Sequence, residues 1–135
     1  MTTTDPDDRD YEALLAFRHR LRQFLAFSEQ QAGAAGVTTQ QHQLLLAIRG
    51  HPDEAPTTST LAELLVLRNH SVVELVDRAE AAGLVERRSD PRDGRRQLVA
   101  LTDAGRRTLA DLTAIHLAEL RRIRSGLTEA LDGLG

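Results

Sequence analysis

One hairpin signal lies in a chain whose apolar residues otherwise recur at helical spacing. Segments 84–87 and 97–101 have the composition of short strands, and the turn between them contains Asp93-Gly94, a strong hairpin sequence. Elsewhere apolar residues lie three or four apart, as on one face of an α-helix. The sequence therefore predicts a mainly helical α+β fold with a single two-stranded sheet.

Helical periodicity and boundary residues divide the rest of the chain. Most of the predicted helices end at glycine or proline, and Thr38 and Thr102 are suited to cap the helices that follow them. The predicted helices span residues 8–36, 38–50, 59–66, 69–82, 103–124 and 128–134. The last two are expected to be separate because Ser125-Gly126 interrupts the pattern. The predicted order of elements is α-α-α-α-β-β-α-α.

Length and composition are those of one globular domain, residues 1–135. The hydrophobic share is 41% and the charged share 27%, which excludes a disordered or fibrous chain. No apolar run approaches the roughly 18 residues of a membrane helix. Residues 1–12 carry five acids against Arg9, unlike a secretory signal, so a cytoplasmic protein with no membrane partner is expected. The absence of cysteine excludes thiol catalysis, disulfides and cysteine-bound zinc.

The basic residues are all arginine, 17 in number, and they are unevenly distributed. The net charge of −3 argues against indiscriminate binding of nucleic acid. Residues 87–107, however, hold seven arginines against three aspartates, a local balance of +4. Arginine makes bidentate contacts with phosphate and guanine, so this segment is a candidate DNA-binding patch.

The predicted helix 69–82 is apolar on one side and polar on the other at about 100° per residue. The apolar face holds Val72, Leu75, Val76 and Ala79. The opposite face holds His70, Ser71, Glu74, Asp77 and Arg78. A solvated surface helix has this composition too, but the short helix before it and the arginine-rich hairpin after it favour a helix-turn-helix whose second helix enters the DNA major groove. Asn69 is expected to cap this helix and to contact a phosphate.

The hairpin tip, residues 90–95, combines aspartate and arginine. A solvated turn has the same composition, but an arginine on a narrow two-stranded arm suits the minor groove, whose negative potential attracts guanidinium groups. We assign Arg95 to the groove and Asp90 or Asp93 to bracing the tip. Arg92 is expected either to take part in the bracing or to contact a phosphate. The candidate DNA-binding residues are Arg68, Asn69, His70, Ser71, Glu74, Arg78, Arg92, Arg95 and Arg96.

Three blocks of sequence are distinctive: Leu61–Leu65, Leu75–Arg88 and Asp90–Gly105. The last contains Asp-x-Arg-x-x-Arg at the hairpin, followed by Leu-Thr-x-x-Gly at the start of the next helix. In these blocks the chain resembles the MarR (multiple antibiotic resistance regulator) family of winged helix-turn-helix transcription regulators. The resemblance extends over about residues 8–134.

The resemblance implies a homodimer joined through segments 8–36 and 103–135, with residues 38–102 forming the winged helix-turn-helix part. It implies binding of double-stranded DNA at a near-palindromic operator, and commonly repression relieved by a small-molecule effector, here unidentified. Helix 69–82 would lie in the major groove and the wing, 84–102, in the minor groove.

The chain departs from the family pattern at three places. Glu74 occupies a position where many members carry a basic or small polar residue; it could accept a hydrogen bond from cytosine or repel phosphate. Gly94 replaces a frequent basic residue at the wing tip. The C-terminal helix is expected to be short, which leaves more of the dimer contact to the first helix and the 109–123 segment.

Five histidines raise the question of metal binding or catalysis. None has His-x-x-x-His or Glu-x-x-His spacing, and no nucleophile motif or phosphate-binding glycine loop is present, so no enzyme, metal site or cofactor is expected. His42 and His116 lie on otherwise apolar helices, which is typical of hydrogen-bonded core histidines. The family resemblance suggests instead an effector pocket lined by Phe17, His19, Phe24, His42 and His116.

A second hypothesis is a ligand-binding or protein-interaction module that keeps this fold and has lost specific DNA binding. Glu74, Asp77 and the net charge of −3 favour it. Operator binding distinguishes the two hypotheses.

Overall fold

The computed structural model describes residues 4–135, and the first three residues of the acidic N-terminal segment lie outside them. The described chain is mainly helical with one antiparallel two-stranded sheet, as predicted. Its elements are α1 (Asp8–Ala34), α2 (Thr39–Gly50), α3 (Thr58–Leu65), α4 (Asn69–Ala81), β1 (Val85–Ser89), β2 (Gln97–Leu101) and α5 (Asp103–Asp132).

The C-terminal helix α5 is continuous over 30 residues, so the predicted break at Ser125-Gly126 is wrong. The element order is therefore α-α-α-α-β-β-α, and the helix is not short. Gly126 serves a close approach instead of a break: a Cβ at this position would lie 2.4 Å from Nη1 of Arg20. A glycine inside a helix costs roughly 1 kcal/mol, and packing of α1 against α5 offsets this cost.

Helices α1 and α5 run antiparallel along most of their lengths. Ala13, near the start of α1, lies beside Gly133, whereas Ser28, near its end, is hydrogen-bonded to His116. The two helices thus form a pair; both contact α2, and α5 also contacts strand β2.

The core fills the space between this helix pair, helices α2 to α4, and the sheet. Its fully buried large side chains come from six elements and include Leu44, Leu45, Ile48, Leu61, Val72, Val76, Val85, Val99 and Leu112. Because α4 contributes one complete face to this core, its opposite face is turned to solvent.

The hairpin pairs in register from Val85 opposite Leu101 to Ser89 opposite Gln97. The loop between α2 and α3 extends this sheet, since Thr57 forms an isolated bridge with Leu98. The outer edge of β2 is therefore paired with this loop, whereas the hairpin tip projects beyond the core.

The start of α5 fixes the base of the hairpin. Thr102 accepts the N–H of Gly105 as the helix cap and donates its own hydroxyl to the Gly83 carbonyl at 2.6 Å. A Cβ at Gly105 would lie only 2.0 Å from the Leu84 carbonyl oxygen. The Leu-Thr-x-x-Gly sequence thus has a physical explanation, because only glycine permits this approach.

Candidate nucleic-acid interface

Helix α4 has the two faces that its periodicity predicts. Val72, Leu75, Val76 and Ala79 are buried. His70, Glu74, Asp77 and Arg78 are exposed, and Ser71 is half-buried. The polar face is continuous and suits contacts with base edges in a major groove.

The N-terminus of α4 differs from the expectation for Asn69. The N-cap is Arg68, which has extended backbone angles, and Asn69 is the first helical residue. No side chain caps α4, whereas Asp7, Thr38, Thr57 and Thr102 cap the other four described helices. The prediction of Asn69 as N-cap is therefore wrong, because the extended residue that begins the helix lies one position earlier.

A shallow concavity lies beside this uncapped end, between α3 and α4. Ser59, Glu63, Arg68 and Asn69 are among the residues that line it. The first N–H groups of a helix carry partial positive charge and suit an anion such as a phosphate.

At the wing tip the two aspartates hold the backbone. Asp90 Oδ1 accepts the backbone N–H of Arg92 at 2.9 Å, and Asp93 Oδ1 accepts that of Arg95 at 3.1 Å. Asp93 also contacts Nε of Arg95 at 3.3 Å. Both aspartates thus hold the backbone of the turn, and the arginine side chain that Asp93 contacts is Arg95, the one assigned to the groove.

The arginines of the wing tip extend into solvent. The Arg95 side chain is 93% exposed despite its contact with Asp93. Arg92 and Arg96 are exposed as well, and neither forms an ion pair with any residue in the described part of the chain. These guanidinium groups are available to a ligand.

Sequence reasoning missed the contacts of Arg87, which we call the Arg87 clamp: Arg87 on β1 with Asp77, Glu80 and the Val73 carbonyl on α4. Nη1 of Arg87 donates to Glu80 at 2.8 Å, and Nη2 donates to Asp77 at 2.5 Å. The backbone N–H of Arg87 donates to the second Glu80 oxygen at 3.1 Å, and Nη2 approaches the Val73 carbonyl at 3.5 Å.

A sequence signal for the clamp exists in the spacing of its partners on α4. Val73, Asp77 and Glu80 lie four and three residues apart, so they form one stripe along the helix. Periodicity assigns Asp77 to the DNA-facing surface of α4, and local charge assigns Arg87 to the basic segment 87–107. Pairing them requires knowing how the hairpin packs against α4, which short-range patterns do not contain.

Three of the five residues predicted for an effector pocket come together in the interior. The rings of His42 and His116 are 4.7 Å apart, and Phe24 meets His116 edge-on at 5.9 Å. His19 is exposed and Phe17 half-buried on α1. The aromatic cluster also includes Phe27, at 5.6 Å from His116, which was not predicted.

The two histidines of this cluster have different hydrogen bonding. His116 contacts the Leu112 carbonyl through Nδ1 at 2.6 Å and Ser28 Oγ through Nε2 at 2.8 Å. Nδ1 of His42 is buried, and no partner for it occurs among residues 4–135. Burial, and secondarily the neighbouring His116, lower the pKa of His42 below its ordinary value of 6.5. His116 thus matches the hydrogen-bonded core histidine, whereas His42 has an unused polar atom at the junction of α1, α2 and α5.

Helices α1 and α5 expose apolar side chains that the single chain does not cover. On α1 these include Leu14, Leu21 and Leu25; on α5 they include Ile115, Leu117, Leu120 and Leu131. Ile115 and Leu120 on α5 are 41% and 37% exposed. The leucines of α1 recur seven and four residues apart and form one stripe, as a helix that packs against a partner does.

Within 4–135, no three His, Asp or Glu side chains cluster closely enough to hold a metal ion. None of the helices in that range combines the length and apolar character required to span a bilayer.

The sequence was compared with protein families and with curated proteins. The MarR family profile matches residues 35–96, which extend from the end of α1 through the wing tip. No curated protein matches the chain.

Solved structures extend this likeness to α1 and α5. A MarR family transcription regulator is 28% identical with a TM-score of 0.75, covering 86% of this chain and 76% of the other. CouR from Rhodococcus jostii, solved with p-coumaroyl-CoA, is 28% identical with a TM-score of 0.69, covering 78% and 73%. A mutant of MepR from S. aureus, solved with an oligodeoxyribonucleotide, is 23% identical with a TM-score of 0.71, covering 93% and 98%. Residues 35–96 thus match the MarR family, and the winged helix-turn-helix and terminal helices are similar to those of solved MarR family transcription regulators.

Proposed function

We propose that the protein is a homodimeric, ligand-responsive transcription regulator, most simply a repressor, that binds a near-palindromic DNA operator. The observation that carries this proposal is the polar face of α4 beside a wing whose Arg95 is 93% exposed. Relatives solved with an oligodeoxyribonucleotide and with p-coumaroyl-CoA support the two kinds of ligand. A regulator acts where its operator is, so the expected cytoplasmic location belongs to the same proposal.

In this proposal α4 enters the major groove. His70, Ser71, Glu74 and Arg78 then face base edges, because they lie on the exposed side of the helix. Arg78 suits guanine, and Glu74 suits the amino group of cytosine. Arg68 and Asn69, with the uncapped N–H groups of α4, contact the phosphate backbone and set the position of the helix.

The wing reaches the adjacent minor groove in this arrangement. Arg95 enters the groove, while Arg92 and Arg96 contact phosphates on either side of it. Asp90 and Asp93 contribute indirectly, because they hold the turn that presents these arginines.

Dimerisation supplies the second half of the site. The apolar stripe of α1 and the exposed leucines of α5 provide the surface that a second copy covers, in residues 8–36 and 103–135. Two α4 helices must then lie about 34 Å apart, one turn of DNA, to occupy successive major grooves. Residues 38–102 form the part that moves as a unit when this distance changes.

Ligand response requires a site whose shape differs between the two spacings. The cluster of Phe24, His42 and His116 joins the dimer helices to α2, and Nδ1 of His42 offers a polar contact there. An effector that binds the wider-spaced dimer more tightly shifts the population away from DNA.

The interaction module without DNA binding keeps two supporting observations, the net charge of −3 and Glu74. Glu74 is exposed on the face that would meet DNA. Asp77, its third support, is paired with Arg87 and is not an isolated negative charge on that face. The choice between the DNA-binding regulator and the interaction module depends on whether Glu74 contacts a base or repels the DNA phosphates.

Selection of bound sites from a random DNA pool at two salt concentrations tests the proposal. We expect a near-palindrome whose half-sites lie about one helical turn apart, with affinity that falls steeply as salt rises. Arg95→Ala should bind the selected site more weakly. Arg9→Ala, which removes the same charge at the start of α1, should bind it as the wild type does. Absence of any enriched sequence, or binding indifferent to salt, would favour the interaction module.

A further inference from the structure

The Arg87 clamp joins the two elements that are proposed to read DNA. Arg87 lies in the middle of β1, two residues beyond the buried Val85, where the hairpin leaves the core. Its partners lie on α4, on a stripe that borders the exposed face of that helix. One side chain thus connects the recognition helix with the arm that presents Arg95.

Burial distinguishes Arg87 from the neighbouring arginine. The Arg87 side chain is 20% exposed, whereas that of Arg88 is 57% exposed. Arg88 pairs with Glu86 on its own strand, so it makes no connection to α4. A partly buried, multiply hydrogen-bonded guanidinium holds its partners in one geometry, which an exposed ion pair does poorly.

The clamp also changes the charge that α4 presents. Asp77 and Glu80 lie within hydrogen-bond distance of the same guanidinium, so two negative charges share one positive charge. Electrostatics alone predicts that neutralising both acids would strengthen DNA binding, because phosphates repel carboxylates. A positional role predicts instead that the wing contributes less to DNA binding, because neutral residues at positions 77 and 80 cannot hold Arg87 in an ion pair.

We infer that Arg87 is a positioning residue that holds the wing at the angle to α4 required for both grooves to be occupied at once. This inference rests on the proposed function. Arg87 touches no DNA in this account. Without the clamp no guanidinium attaches β1 to α4, and the hairpin is held through the start of α5 and through the pairing of β2 with Thr57, so the orientation of its tip varies.

The effect of Arg95→Ala on operator affinity measures what the wing contributes. In the intact protein we expect this substitution to weaken binding roughly tenfold, the scale of one specific groove contact. In an Arg87→Gln background, and in an Asp77→Asn/Glu80→Gln background, the further loss on Arg95→Ala should be about twofold or less, because a wing that is not held contributes little. Such non-additivity is the signature of coupled residues.

Arg88→Gln is the matched control. It removes the same charge from the next residue of β1 and leaves the clamp intact. The effect of Arg95→Ala should remain roughly tenfold in this background, since independent sites add. A loss of stability alone does not produce this pattern, because it lowers the amount of folded protein without changing the relative affinities.

The outcomes separate the inference from the proposed function. If the wild type binds DNA and Arg95→Ala costs the same factor with and without the clamp, the inference is wrong and the proposed function stands. Tighter binding by Asp77→Asn/Glu80→Gln with a full effect of Arg95→Ala also overturns it, in favour of electrostatics. If the wild type binds no DNA, both fail together.

Hydrogen exchange gives a second readout that needs no DNA. Arg87→Gln should accelerate exchange at the β1 and β2 amides while leaving α5 protected, because only the hairpin loses an attachment. Unchanged protection of the hairpin in this variant would contradict the inference.

Discussion

The tip and the base of the β1–β2 hairpin use the same residue types for opposite purposes. At the tip, Asp90 and Asp93 accept backbone N–H groups, and the side chain of Arg95 remains 93% exposed. At the base, Asp77 and Glu80 accept hydrogen bonds from the guanidinium of Arg87, which is only 20% exposed.

The difference lies in where the acids come from. The aspartates within the turn accept backbone N–H groups of the same turn, so they shape the backbone and leave the arginine side chain exposed to solvent. Acids from a neighbouring helix meet the side chain, and the arginine becomes part of the fold. Composition alone therefore does not separate a ligand-binding arginine from a structural one.

Two glycines, Gly105 in the first turn of α5 and Gly94 at the wing tip, provide the largest contrast. Gly105→Ala should destabilise the protein by about 3 kcal/mol or more, since its Cβ would lie 2.0 Å from a backbone oxygen that cannot move alone. Gly94→Ala at the tip should stay within about 0.5 kcal/mol, because nothing lies within 4 Å of that Cβ. Urea unfolding measures both, and equal losses would show that tip and base are packed alike.

The arginines should separate affinity from stability. Arg95→Ala should leave the midpoint of urea unfolding nearly unchanged, because an exposed ion pair contributes about 0–1 kcal/mol. Its operator affinity should fall by roughly 1–3 kcal/mol. A large loss of stability in this variant would place Arg95 in the fold and not at the interface.

Arg87→Gln should show a loss of folding stability. We expect a decrease of about 1–2 kcal/mol in the free energy of unfolding, since hydrogen bonds to charged groups are lost at a partly buried site. Arg88→Gln, which breaks a pair within one strand, should lose less than about 0.5 kcal/mol. The same unfolding experiment distinguishes them, and equal values would contradict the contrast between held and exposed arginines.

The smallest effect concerns the buried and exposed histidines. The pKa of His42 is lowered in the folded state. Its contribution to folding stability is therefore fully present above the ordinary histidine pKa of 6.5 and is lost as the pH falls towards the folded-state pKa. His42→Leu should flatten this decrease between pH 7 and 5, whereas His70→Gln on the exposed face of α4 should keep it. An unchanged profile in His42→Leu would mean that another group is responsible.

Local patterns predicted most of the fold. The apolar stripe of α4, the turn at Asp93-Gly94 and the capping threonines each act over a few residues, and the structure has the corresponding elements. The error at Ser125-Gly126 has the opposite origin. Helix α5 continues through this pair because it packs along α1, which is distant in sequence.

The candidate site divides in the same way. The exposed residues of α4 and the wing tip follow from periodicity and turn chemistry. The Arg87 clamp and the contact between His42 and His116 depend on how distant elements pack, and spacing along one helix does not identify the partner on another element.

A hydroxyl-radical footprint of the wild type on its selected operator tests the central claim most directly. The account predicts two protected half-sites about one helical turn, roughly 10 base pairs, apart, with flanking minor-groove protection that Arg95→Ala removes. A single protected segment, or flanking protection that persists without Arg95, would contradict it.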